Sequence, residues 1–315
     1  MKIHVDNVNL QAATGPNTFA NRLARQLYES GHEVCFDSTG ADVSLVFIEP
    51  TGRPLAKKVV QRLDGIWFRP QDFHTKNAGI KALYHAADAI VFQSQFDHTM
   101  ACKWFGIPSK PGARCEIIHN GIDMMSVKEI TIPKLAEMRS TYDQIYVCSS
   151  NWHPQKRLGD NVKLFDRLRI KHPNSCLIVL GNNPDVPIRG PHVFAAGSVG
   201  PDVYNQIYSA ANWMLHLAWA DHCPNVVIEA LAQGTPVVCS DVGGTKELIG
   251  GYGVVMKDDP YSFELADYDN PPRLDITQVD DLPDRTTLDY DSIADIDITH
   301  VAERYISLFE SLIKQ

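Results

Sequence analysis

The sequence predicts an α/β protein built from two doubly wound domains, each a parallel sheet with helices on both faces. Three observations carry that expectation. Strand-like apolar runs alternate with amphipathic helical segments through both halves of the chain, which is the rhythm of repeated βαβ units. A length of 315 residues suits two cores of ordinary size better than one unusually large core. One stretch, Trp213 to Gly244, reads as a complete βαβ step with polar residues placed at its turn.

That stretch opens with a buried strand, Trp213 to Ala218, followed by a polar loop. Pro224 sits where the first helical residue is expected, an apolar helix runs to Gly234, and a second buried strand spans Pro236 to Ser240. The step brings the helix N-terminus, at Pro224, Asn225 and Val226, to the carboxyl edge of the sheet. Its unpaired N–H groups and partial positive charge favour an anion there. Asp221 lies in the loop before the helix, and Glu229 follows it by about two helical turns. A phosphate at the helix start with hydroxyls at the two acids describes a nucleotide sugar.

The first half begins with a strand over Lys2 to Val8 and a polar loop, Asn9 to Asn17. Gly15-Pro16-Asn17 opens a helix with Phe19, Leu23 and Leu27 on one face, closed by Gly31. Strands are expected at Glu33 to Asp37, Val43 to Ile48, Lys58 to Leu63, Ala89 to Gln93 and Cys115 to His119. Helices are expected around Ala78 to Ala87 and Gln95 to Phe105. Asp64 stands at the tip of a strand in Arg62-Leu-Asp-Gly65, and the polar run Arg69 to Asn77, with His74, follows as a loop. His119-Asn-Gly-Ile-Asp123 is a turn, after which Met124 to Asp143 reads as an interdomain connection.

The second half starts with the strand Gln144 to Ser150, the cation-bearing loop Asn151 to Arg157 and a helix over Gly159 to Lys171. Lys156 and Arg157 are placed just before a helix, where they would sit beside a diphosphate. The strand Ser175 to Leu180, the edge Phe194 to Val199 and a helix over Asp202 to Ala211 lead to the central step. A helix with Glu247 and Leu248, the strand Gly253 to Met256 and a last helix, Ile298 to Ile313, complete the chain. Expected boundaries are 1–141, 142–296 and a terminal helix, 297–315, packing back on the first domain.

Asp221 and Glu229, the latter opening the run Glu-Ala-Leu-Ala-Gln-Gly-Thr-Pro-Val-Val, with Gly243-Gly244 after it, resemble the donor signature of family 4 glycosyltransferases. The resemblance implies the GT-B architecture, with two Rossmann-like domains facing across a cleft, acceptor on the first and donor on the second. It implies that the first acid contacts the donor sugar and the second holds the ribose hydroxyls; Asp221 is one methylene shorter than the family's glutamate. Gly15 matches a glycine loop that substrate approaches, and Gly197 and Val199 match the edge whose backbone reads the base. Asp64 stands where the family commonly has a histidine opposite the donor sugar, which makes Asp64 and His74 catalytic candidates beside Asp221. Asn151 or His153 replaces the usual first cation of the phosphate loop. The activity implied is metal-independent, retaining hexosyl or pentosyl transfer from a nucleoside-diphosphate sugar, with no metal site and no further cofactor. Rival readings are a non-hydrolysing sugar-nucleotide epimerase and a catalytically dead nucleotide-sugar-binding protein.

Composition bounds the rest. No run approaches the ~18 to 20 apolar residues of a membrane helix, and Met1-Lys-Ile-His-Val-Asp enters a strand with no signal-like segment. Seven scattered cysteines without close pairs fit reduced core residues, so a cytoplasmic protein is expected. The net charge of −9 is local: Lys257 to His300 holds thirteen acids against three bases, which predicts a solvated excursion. Thr51 to Lys81 holds seven bases against two acids. The Gly-Pro-Asn and Arg-Leu-Asp-Gly runs resemble enzymes of tailed phages, acting in the host cytoplasm. Their acceptors include glycans and hydroxymethylated DNA bases, and the basic run would face a phosphate backbone.

Overall fold

The computed structural model describes residues 1–12, 14–124, 130–285 and 288–314. The chain divides into two compact units: Met1–Asp123 with Ser262–Asp267 and Ala294–Gln315, and Met124–Tyr261 with Tyr268–Ile293.

The first unit contains β1 (Lys2–Asp6), α1 (Gly15–Glu29), β2 (Glu33–Cys35), β3 (Val43–Phe47), β4 (Lys58–Leu63), α2 (Pro70–Lys76), α3 (Ala78–Ala86), β5 (Ala89–Phe92), α4 (Gln95–Phe105) and β6 (Arg114–Ile117). Its parallel sheet has the order β2-β1-β3-β4-β5-β6. The inner strands are covered on both faces, so β3 and β5 are buried throughout and read as unbroken apolar runs rather than alternating ones. α1 starts at Gly15 with Pro16 in its first turn, where a missing N–H costs nothing, and buries Phe19, Leu23 and Leu27. α4 starts on a cap, with the Ser94 hydroxyl accepting from the Asp97 amide at 3.1 Å.

The second unit contains α5 (Pro133–Thr141), β7 (Gln144–Ser149), α6 (Leu158–Leu168), β8 (Ser175–Leu180), β9 (Val193–Gly197), α7 (Pro201–Ala210), β10 (Trp213–His216), α8 (Asn225–Ala232), β11 (Val237–Ser240), α9 (Thr245–Ile249) and β12 (Gly253–Met256). The second sheet, also parallel, has the order β12-β11-β10-β7-β8-β9. Both orders reverse next to the first strand of their unit, the arrangement of two Rossmann-like α/β units. A final helix, α10 (Ile298–Ile313), belongs to the first unit and buries Val301, Tyr305, Phe309 and Leu312 in the cluster that holds Phe19 and Leu23 of α1. Asp297 caps it by accepting from the Thr299 amide at 2.7 Å.

Three expectations need correction. The polar run Arg69 to Asn77 is not a loop: Pro70 starts α2, Asp72 and Lys76 suit its two ends, and Phe73 is buried. The connection Met124 to Asp143 contains α5, whose Leu135 and Met138 are buried within the second unit, so the units divide at Asp123 rather than at 141. Residues 125–129 of that connection lie outside the described residues. The acidic segment is more than a solvated excursion. Its Leu274, Val279 and Leu282 join the core of the second unit, while the acids between them stay outside, His172 meeting Asp281 at 2.8 Å. Within the first unit, the Trp104 indole donates to the Phe263 carbonyl at 2.8 Å.

Candidate active site

Four loops meet at the carboxyl edge of the second sheet. After β10 the chain passes through Ala220, at φ +52°, to Asp221. The Asp221 carbonyl accepts from the Gly244 amide at 2.7 Å, and Ala220 N donates to the Val242 carbonyl at 2.9 Å. Gly243 is required here, because a Cβ on it would lie 2.7 Å from the Asp221 carbonyl oxygen. The same loop is tied to the one after β7: Trp219 N donates to the Gln155 carbonyl at 2.9 Å, and Gln155 Nε2 to the Ala220 carbonyl at 3.3 Å.

Lys156 Nζ reaches Asp221 Oδ2 at 2.5 Å, and His216 Nε2 lies 3.2 Å from the same oxygen. Burial alone would raise the Asp221 carboxyl, but the Lys156 ammonium and the His216 hydrogen bond hold it well below the usual carboxylate range. The group is a fixed anion. α8 starts just beyond, after Pro224, with Asn225 and Val226 half-buried at its first turn and no acid in that turn to occupy its amides. This is the anion-favouring end that the sequence placed at the sheet edge.

Arg157 differs from its expected role. Its side chain is 1% exposed and pairs with Asp258, itself 0% exposed, and its Nη2 donates to the Pro272 carbonyl at 2.6 Å. A guanidinium so enclosed holds the second unit together, and pairing with a diphosphate would require breaking this buried ion pair. The physical reason is backbone: Arg157 sits at φ +53°, a left-handed turn that directs it toward the end of β12. Lys156 is therefore the cation of this loop that stands beside the anion-favouring end.

Glu229, on α8, is buried, and the Tyr204 hydroxyl donates to its Oε1 at 3.4 Å. Gly197 ends β9 at φ +67°, its carbonyl accepting from Gly181 N at 2.8 Å, and Val199 is half-buried just after. Gly181 opens the turn after β8, and a Cβ there would lie 1.7 Å from the Ser150 carbonyl oxygen. The loops after β7 and β8 thus approach at a distance only glycine permits.

The first-unit candidates lie at the carboxyl edge of the other sheet. Asp64 Oδ1 pairs with Arg62 and accepts from Gln93 Nε2 at 2.6 Å, while its Oδ2 is buried with no hydrogen-bond partner among the described residues. Arg62 is fully buried, lies over the rings of Phe19 and Phe47 at 4.4 and 5.0 Å, and also donates to Asn120. Asp64 is therefore built into a network joining the ends of β4 and β5 to the Asn120-Gly121 turn. His74 is exposed on α2, with its ring set edge-on to Phe73. Gly15 is exposed at the start of α1. The basic run does not form an open cationic face, since Arg62 is buried, Arg69 Nε lies 3.5 Å from Asp267, and Lys76 Nζ lies 3.1 Å from Asp72. Among the described residues, no three His, Cys, Asp or Glu side chains are grouped to hold a metal ion, and no helix is long and apolar enough to cross a membrane.

Sequence reasoning missed His216, Asp258 and Tyr204. His216 carried a signal, a polar residue closing an apolar strand; the partners of Asp258 and Tyr204 are distant in sequence and carried none.

Residues 143–267 match the family model described as glycosyl transferases group 1, a range that covers β7 to β12 of the second unit. No curated protein matches the chain in sequence. Among solved structures, HepE of Anabaena in complex with UDP-glucose is similar in fold. It is 17% identical with a TM-score of 0.64, covering 99% of this chain and all of that one. Sucrose-phosphate synthase from Thermosynechococcus elongatus is 16% identical with a TM-score of 0.61, covering 100% and 96%. WaaG, a glycosyltransferase involved in lipopolysaccharide biosynthesis, is 13% identical with a TM-score of 0.59, covering 100% and 98%. At these identities the likeness is one of fold, the two-unit α/β architecture of GT-B glycosyltransferases.

Proposed function

We propose that the protein is a glycosyltransferase that moves a hexosyl or pentosyl group from a nucleoside-diphosphate sugar to an acceptor hydroxyl. The observation that carries this reading is the N-terminal turn of α8, which holds no acid and is flanked by the Asp221–Lys156 pair and by Glu229. In this reading Glu229 accepts from the ribose hydroxyls, with the adjacent Tyr204 hydroxyl orienting it. The backbone at Gly197 and Val199 lines the base. Asp221 receives a hydroxyl of the donor sugar.

The chemistry must stabilise charge on the departing diphosphate. Lys156 and the α8 amides at Asn225 and Val226 supply fixed positive charge at that point, so transfer proceeds without a metal. The departing phosphate oxygen takes the proton of the acceptor hydroxyl on the face that the bond leaves, and the product retains the donor's anomeric configuration. Asp64, held rigidly by Arg62 and Gln93, is the first-unit residue proposed to meet the sugar. His74 lacks such positioning. The acceptor is proposed to be a glycan hydroxyl, because the cations that a nucleic-acid backbone would need are largely buried or already paired with acids.

The experiment is incubation with a panel of nucleotide sugars and glycan acceptors, with proton NMR of the product. Release of nucleoside diphosphate only with acceptor, and a retained anomeric centre in EDTA, is the expected result. Sugar-nucleotide isomerisation without release points to the epimerase; binding without turnover points to a non-catalytic protein; inversion or a divalent-ion requirement overturns the mechanism.

A further inference from the structure

His216 is the last residue of β10 and is 4% exposed, in a run whose other members, Trp213 to Leu215 and Leu217, are buried and apolar. A polar ring in such a place needs a partner, and it has one in Asp221. An ionised carboxylate accepts hydrogen bonds and cannot donate, so the ring nitrogen 3.2 Å from Asp221 Oδ2 carries the hydrogen and donates it. Lys156 Nζ converges on the same oxygen. Asp221 Oδ1 has no hydrogen-bond partner among the described residues, so the carboxylate presents one saturated oxygen and one open one.

We infer that His216 is a positioning residue that fixes the Asp221 carboxylate so that Oδ1 faces a hydroxyl of the donor sugar. The backbone of Asp221 is already held by Gly243 and Gly244, which leaves the soft final torsion of the carboxylate to be set. Lys156 cannot set it alone, since its ammonium sits on a flexible four-carbon stem and is also the cation proposed to serve the diphosphate. When Lys156 turns to that anion, the His216 ring, enclosed at the end of a strand, keeps the carboxylate in place. Asp221 thereby contributes to recognition of the sugar rather than of the nucleotide, despite being one methylene shorter than glutamate. This rests on the proposed glycosyl transfer.

The test is calorimetric titration of UDP-glucose, GDP-glucose and ADP-glucose, each against its free nucleoside diphosphate, with the full chain and its His216→Leu and His216→Gln variants. The parent should bind one nucleotide sugar more tightly than its diphosphate. His216→Leu should lose about tenfold of that sugar-dependent preference, with affinity for the free diphosphate unchanged. His216→Gln, whose amide nitrogen reaches the place of Nε2, should recover most of it. Should the Leu variant fail to fold, His216→Asn, whose amide falls short, replaces it in the comparison with Gln. Equal weakening of sugar and diphosphate, or no change in their ratio, overturns the assignment of His216. Absence of any binding to the parent overturns the proposed function itself, a separate outcome.

Discussion

Arg157 and Asp258 form a two-pronged ion pair inside the second unit, Nη1 to Oδ2 at 2.5 Å and Nη2 to Oδ1 at 3.2 Å. Ser240 Oγ adds a third donor to Asp258 at 2.8 Å. This one contact joins the loop after β7 to the ends of β11 and β12, and so fixes the loop that presents Lys156. Removing one partner of such a pair leaves the other charge buried. Arg157→Ala should therefore cost about 3–5 kcal/mol in denaturant unfolding, whereas a double replacement by Met and Leu should cost much less. Full stability of Arg157→Ala with lost diphosphate affinity would instead return Arg157 to the ligand.

Lys156 and Glu229 are predicted to act on affinity rather than on folding. In the proposed reading, Lys156→Ala removes a charge-assisted contact to the diphosphate, and Glu229→Gln weakens one to the ribose. Each should cost ~1.5–3 kcal/mol, roughly ten- to hundred-fold in nucleoside-diphosphate affinity by calorimetry. Unchanged affinity in both variants would place the nucleotide elsewhere.

The contrast between these residues shows what the sequence could disclose. The sheet strands were legible because burial on both faces writes an unbroken apolar run, and α8 because Pro224 and Gly234 punctuate it. Asp221 and Glu229 were legible because their spacing along one βαβ step fixes their place at a sheet edge, and Lys156 because it closes the polar loop between β7 and α6. The direction of Arg157 was not, since it depends on a left-handed backbone at that residue and on Asp258, about a hundred positions away. Helix α2 was hidden for the opposite reason: it is short and polar, with only Phe73 buried, so no periodicity marks it.

The two glycines at the ends of β8 and β9 should behave differently. Gly181→Ala forces a Cβ into the Ser150 carbonyl at a left-handed φ of +104°, a clash with backbone that cannot be relieved by a side chain moving. Gly197→Ala meets nothing within 4 Å and carries only the cost of its φ, about 1–2 kcal/mol. Thermal melts should show the first variant severely destabilised and the second mildly so. Equal effects would mean that the loops after β7 and β8 are further apart than described.

His4 predicts the acid side of stability. It is buried on β1 with Nδ1 2.9 Å from Ser44 Oγ, and burial lowers its imidazole below the ordinary value. Burial likewise lowers His32 and His153. In each case the unfolded chain takes up a proton first as pH falls. Stability is thus complete above about pH 6.5 and declines as pH drops through that value, levelling off below the folded-state pKa. Asp221, depressed well below the carboxylate range, stays ionised throughout and adds no slope there. The melting temperature should fall between pH 8 and pH 5.5, and less steeply in His4→Gln; a flat or rising profile would contradict the burial of neutral histidines.

The acceptor prediction follows from where the basic residues of the first unit are spent. Lys58 Nζ lies 4.0 Å from Asp88, which Lys110 approaches at 3.0 Å, and Lys76 lies over the Trp67 ring at 4.1 Å as well as beside Asp72. With Arg62 enclosed, Arg53, Lys57 and Lys81 are the three cations of the run that stand exposed without a paired acid among the described residues. Neutralising few phosphates releases few counterions, so duplex binding should be weak and its dependence on salt shallow. Duplexes with and without 5-hydroxymethylcytosine, incubated with the nucleotide-sugar panel and digested to nucleosides, should show no mass gain, while an oligosaccharide acceptor should. A sugar found on the hydroxymethylated nucleoside, together with binding that collapses in Lys57→Glu and Lys81→Glu, would make DNA the acceptor and show that a few exposed cations suffice to hold a base flipped from the stack.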